Sequence, residues 1–225
     1  MKTLKDHIDE ALKIGKNISS FSTYSCHPAN KKELEEIIRE RISKDGPNCN
    51  LNDIDTSLIE DMSSLFIGTS FNGDISKWDV SNVKKMTYMF YNSEFNGDIS
   101  NWNVSKVKNM GFMFYMSKFN QNISNWDVSN VTNMAYMFKD SEFNGNISKW
   151  DISNVKYMEG MFASSKFNGD ISKWNVSNVD RMSRMFHDSS FDQDISNWKI
   201  SKDCDATHMF LDCPIKDEYK PELPR

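Results

Sequence analysis

A chain of 225 residues has room for one domain with a sizeable core, and its 15 Phe, 14 Met and 6 Trp exclude the composition of a disordered segment despite a mean hydropathy of -0.63. A formal charge of -5 disfavours a general phosphate-binding role, because non-specific nucleic-acid affinity rests on clustered Lys and Arg, and makes a neutral or basic protein surface the easier partner. No run approaches the roughly 18 consecutive apolar residues a membrane helix needs. The cysteines, Cys26, Cys49, Cys204 and Cys213, are too sparse for a disulfide scaffold and read as reduced thiols.

In chain order, residues 1–50 read as a helical N-terminal capping region. The start MKTLKDHIDEALKIGKNISS carries acids inside what would be a secretion signal, so the chain as given reads as cytoplasmic. Leu4, Ile8, Ala11 and Leu12 suggest a first helix. Asn30 with Glu33 reads as a capping box for a second, which carries Leu34, Ile37, Ile38 and Ile42 on one face. Residues 51–70 form a degenerate capping repeat: Leu51, Ile54, Ile59, Met62, Leu65 and Phe66 keep the register of Ile75, Trp78, Val83, Met86, Met89 and Phe90, with the Trp lost.

Residues 71–214 are six 24-residue repeats, in which FNGDISKWDVSNVKKMTYMFYNSE returns without a gap. Phe71, Phe95, Phe119, Phe143, Phe167 and Phe191 open the units. Trp78, Trp102, Trp126, Trp150, Trp174 and Trp198 follow seven residues later, and Met-Phe pairs run from Met89-Phe90 to Met209-Phe210. Trp78 and Val80 alternate with Lys77, Asp79 and Ser81 like a short strand, whereas Val83, Met86, Met89 and Phe90 are spaced like one face of a short helix. The expected fold is therefore an α/β repeat, a curved solenoid with one short strand and one short helical segment per coil. Because strands stack closer than helices, its sheet side should be concave. One unit cannot bury its own Trp, Met and Phe, so the core must come from stacking. Residues 215–225 form a polar tail.

The motif NGDISKWDVSNV followed by M-x-x-MF closely resembles the BspA-like leucine-rich repeat proteins of bacteria, over about residues 51 to 213. Ile75-x-x-Trp78-x-Val80 is similar to the leucine-rich repeat core, with Val83 where the usual asparagine would stand. The resemblance implies a leucine-rich-repeat-like binding solenoid with no catalytic residue. Members of that family are commonly surface lipoproteins or adhesins.

Repeated residues build the scaffold, so candidate sites lie where the units differ. Tyr88, Tyr91, Phe112, Tyr115 and Tyr136 form a variable aromatic cluster off the core face of the expected helical segments, suited either to partner binding or to padding the convex surface. Lys149, Asp151 and Lys173 belong to a polar strip on the expected concave face, either a second recognition surface or simply solvated strand. The Asp74, Asp98, Asn122, Asn146, Asp170, Asp194 column suggests stacked carboxylates and hence calcium, but two asparagines interrupt it and amide side chains stacking in a turn ladder explain it as well. Cys204, His208 and Cys213 match no common zinc spacing, and Cys213 occupies the small-residue column of Ser93 and Ser189. No catalytic constellation, metal site or cofactor is expected.

The leading functional expectation is a non-enzymatic protein-binding solenoid that presents an extended surface to a macromolecular partner. Acidity and small size also fit a cytoplasmic inhibitor that occludes a nucleic-acid-handling enzyme, such as a CRISPR-type nuclease of bacterial immunity. A surface adhesin module follows from the family resemblance. A purely structural fibre is disfavoured by two different end regions.

Overall fold

The computed structural model describes residues 24–224, so the helix expected over Leu4, Ile8, Ala11 and Leu12 lies outside the described residues. Helix α1 (Lys31–Asp45) forms where the capping box placed it: Asn30 Oδ1 accepts the Glu33 N–H at 3.1 Å, and Glu33 Oε2 accepts the Ala29 N–H at 2.8 Å. Gly46, at φ 86, ends the helix by donating its N–H to the Ile42 carbonyl. Leu34 and Ile38 are buried against the first coil, with Ile37 and Ile42 packed at the edge. Arg41 pairs with Asp53 at 3.0 Å, which fixes the helix across that coil.

Each following coil departs from the expected strand-plus-helix unit. The stretch expected to be helical instead forms a parallel ladder, bridged at Asp61–Lys85, Lys85–Asn109, Asn109–Asn133, Asn133–Tyr157, Tyr157–Arg181 and Arg181–Asp205. Met86, Tyr88, Phe90 and Asn92 donate to the carbonyls of Asn109, Gly111, Met113 and Tyr115 in the next coil at 2.8–3.1 Å. Met89 and Tyr91 donate back to Met86 and Tyr88 at 3.2 Å, closing turns three residues long where an α-helix would bond four residues back. Tyr88 (φ 59) and Asn92 (φ 49) are left-handed, a conformation that prevents any helix from propagating. Met86, Met89 and Phe90 still point inward. The apolar spacing of three and four was therefore real but belongs to overlapping turns.

The stretch expected to be a strand is also turned. Trp78 donates its N–H to Ile75 at 3.1 Å, Val83 donates to Val80 at 2.9 Å, and Asp79 Oδ1 accepts the Ser81 N–H. Neighbouring coils are joined here by side chains. The Trp126 indole N–H donates to the Ile99 carbonyl at 3.1 Å, across 27 residues, and the same bond recurs from Trp78 to Trp198. On the adjoining turn, Asn72, Asn96, Asn120 and Asn144 each accept the backbone N–H of the residue one coil later, at 2.8–2.9 Å.

Coil spacing explains this division. Near-parallel rings from equivalent positions report the local separation of coils: 4.6 Å for Tyr88–Phe112, 5.5 Å for Phe90–Phe114, 6.3 Å for Phe95–Phe119 and 6.4 Å for Trp78–Trp102. Direct backbone bonding needs about 4.7–4.9 Å. The ladder side meets that condition, direct backbone bonds such as Lys108 to Lys84 and Lys118 to Ser93 flank it, and indole and amide side chains span the wider side. The coils thus fan outward from the ladder, so the concave face is the one carrying Tyr88, Phe112 and Tyr136. The polar strip with Lys149, Asp151 and Lys173 belongs to the widely spaced side, the reverse of the sequence expectation, because the tight ladder forms from the other half of the unit.

The core is continuous. The Phe columns from Phe66 to Phe191 and the Met columns from Met62 to Met185 are fully buried, and each Trp is 3–4% exposed. Ile215 is buried and Tyr219 packs on the last coil, where the Tyr219 carbonyl accepts the Ile195 N–H at 3.0 Å. No helix among the described residues is long and apolar enough to cross a membrane.

Candidate functional site: an aromatic panel on the ladder

The ladder contains left-handed residues in two columns. One reads Gly68, Asn92, Met116, Asp140, Ser164, Asp188, Asp212, mostly the small or Asn/Asp types that tolerate positive φ. The other reads Ser64, Tyr88, Phe112, Tyr136, Gly160, Arg184, His208. Bulky aromatic residues at φ 56–59 are outliers on steric grounds, and Gly160 (φ 53) demonstrates that the fold accepts the unstrained choice at the same position. Tyr88, Phe112 and Tyr136 hold this strained conformation in consecutive coils.

Together they form a panel. Tyr88 stacks on Phe112 at 4.6 Å and Phe112 on Tyr136 at 4.8 Å, while Tyr91 meets Tyr115 edge-on at 5.0 Å and Tyr88 at 5.8 Å. All five rings are half-buried. The Tyr136 ring lies over Gly160, where an added Cβ would meet it at 2.5 Å, so the panel ends on a glycine. Lys139 Nζ sits 5.0 Å from the centre of the Tyr115 ring and pairs with Asp140. Burial alone would depress the Lys139 ammonium, but the Asp140 carboxylate and Tyr115 hold it above its ordinary value. Beyond Gly160 the face becomes charged: Arg181 lies 3.7 Å from Glu159 and over the Tyr157 ring at 5.7 Å.

The sequence-derived residues therefore separate into two places. Tyr88, Tyr91, Phe112, Tyr115 and Tyr136 come together on the concave ladder. Lys149, Asp151 and Lys173 are exposed on the opposite, fanned side, and Asp151 Oδ1 is occupied by the Ser153 N–H. In the proposed calcium column Asp98, Asn122, Asn146 and Asp170 each accept the N–H of the serine two residues on, so amides serve as well as carboxylates. Cys204 is buried in the core of the last coil, which pushes its thiol up to about 11. His208 is exposed on the ladder, and Cys213 Sγ turns inward to the Phe191 carbonyl at 3.1 Å. Among the described residues no group of three or more His, Cys, Asp or Glu could hold a metal ion. What sequence reading missed was the strain, for which the only signal was Gly160 interrupting an otherwise large-residue column.

A continuous core built from identical coils, with one face departing from the pattern, defines a repeat protein carrying a distinctive surface. Two overlapping segments, residues 33–142 and 116–219, match the family described as "Mycoplasma protein of unknown function, DUF285". Together they span most of the chain, which belongs to that family. Neither the curated proteins nor the solved structures yield a match.

Proposed function

We propose that this chain is a non-enzymatic protein-binding solenoid whose partner engages the aromatic panel of Tyr88, Phe112 and Tyr136 with Tyr91 and Tyr115. The observation that carries this reading is the strained column. Strain of about 1–3 kcal/mol per residue persists only where the surrounding structure over-determines it, and residues so strained cluster at functional sites. Half-buried aromatic side chains are also the side chains that dominate protein interfaces. The resemblance to BspA-like leucine-rich repeat proteins supports a binding role, and the shared family leaves the partner's identity open.

The test compares two variants with the native chain as bait. One replaces Tyr88, Phe112 and Tyr136 with Asn, which tolerates positive φ; the other replaces Lys149, Asp151 and Lys173 with Ser. Loss of a captured protein by the first variant alone, at an unchanged melting temperature, supports the panel. Loss by the second alone moves the site to the fanned side.

A further inference from the structure

Along the ladder every coil hands its N–H donors to the next. Met182, Arg184, Phe186 and Asp188 donate to the carbonyls of Asp205, Thr207, Met209 and Leu211 at 2.8–3.0 Å. In that last rung the equivalent donors are the N–H groups of Ala206, His208, Phe210 and Asp212, and none has an acceptor among the described residues. His208 (φ 56) and Asp212 (φ 58) keep the backbone of the earlier rungs, so these donors face outward along the stack.

The first rung has the complementary deficit. Met62, Ser64, Phe66 and Gly68 donate forward to Lys85, Thr87, Met89 and Tyr91, but the carbonyls of Asp61, Ser63, Leu65 and Ile67 receive no donor among the described residues. Ser64 (φ 65) and Gly68 (φ 63) show that this rung has the same conformation as the last. An ordinary extended strand lacks the left-handed residues that set this donor spacing, so another rung of the same kind is the matching surface. Side chains agree: Ile67 and Leu211 occupy the same column of the repeat, stand at opposite ends, and are 46% and 47% exposed.

We infer that the last rung of one copy docks on the first rung of a second copy, head to tail. The caps differ, α1 at one end and the Ile215–Tyr219 segment at the other, yet both close the core and leave open hydrogen-bonding groups on the ladder. The copies meet along the ladder alone, with a bend at the junction. Asp61 and Asp205 share a column and face each other there, so the association is weak and salt strengthens it. A head-to-tail contact does not close on itself and extends to chains of copies.

Sedimentation of the full chain over a concentration series tests this. The native protein should form dimers and larger species as concentration rises. Leu211→Asp and Ile67→Asp should each remain monomeric with native melting temperatures, since both residues are exposed and every junction in a uniform sample contains the changed one. Mixing the two variants restores one native junction and should produce a discrete heterodimer. A native chain that stays monomeric through the millimolar range would overturn the inference. So would a mixture that fails to associate, which would instead indicate a symmetric contact. The Tyr88, Phe112 and Tyr136 variant should self-associate normally, which separates this result from the fate of the panel.

Discussion

Truncating Trp126 probes the fold where its coils are held apart. The ring is 3% exposed, packs against Phe114 at 6.4 Å between centres, and its N–H bonds the Ile99 carbonyl at 3.1 Å. Trp126→Ala removes the ring and leaves a cavity, a change that typically destabilises by about 3–5 kcal/mol. Trp126→Phe keeps most of the packing and removes one of the two donors to the Ile99 carbonyl, which retains the Trp102 N–H at 3.1 Å, for a loss of roughly 0.5–1.5 kcal/mol. Urea unfolding followed by far-ultraviolet circular dichroism reads both variants without depending on indole fluorescence. The expected order is native, then Phe, then Ala, with an unchanged denaturant slope if the stack unfolds as one unit. A loss below about 1 kcal/mol for the Ala variant would mean that the ring does not sit in a packed core. Equality of Phe and native would mean that the indole bond between coils contributes nothing.

Other perturbations address the remaining contacts. Deleting residues 119–142 removes one 24-residue repeat and should leave a folded, less stable protein, read by thermal melting; loss of all structure would refute nearest-neighbour stacking. Gly160→Ala should destabilise by about 1–2 kcal/mol, because a Cβ there is left-handed and collides with Tyr136, and near-ultraviolet dichroism should register the displaced tyrosine. Asp98, Asp151, Asp170 and Asp205 are held below the usual carboxylate range by hydrogen bonds from the Ser or Thr two residues on. A depressed carboxylate stabilises the fold above its unfolded pKa of about 4 and loses that contribution as pH falls through the folded value. Acid titration should therefore lower the melting temperature below about pH 4, and Asp170→Asn, the choice already present at Asn146, should reduce that dependence.

The repeat, the buried columns, the degenerate first coil and α1 were legible because each is a property of spacing and side-chain type. The Asn30–Glu33 pair carried enough local chemistry to place a helix start within a residue. The internal geometry of a coil was not legible, because inward residues spaced by three and four arise from overlapping turns as readily as from a helix. Deciding between them requires the hydrogen-bond partners of Met86 and Tyr88, which lie in the next coil. Concavity was misassigned for the same reason, as it depends on which side carries backbone bonds between coils. The aromatic cluster was found by its variability, while its strained backbone is invisible in residue identity.

The indole bonds run in one direction only. Each Trp reaches back to a carbonyl 27 residues earlier, which is synthesised before that Trp and emerges from the ribosome ahead of it. A nascent chain therefore adds each coil onto a finished acceptor and never waits for a later segment to bury its indole donors. Loss of coils from the C-terminal side leaves every remaining indole bonded, whereas loss from the N-terminal side strands a buried donor at the new end. Proteolytic shortening should consequently be tolerated far better from one terminus than from the other.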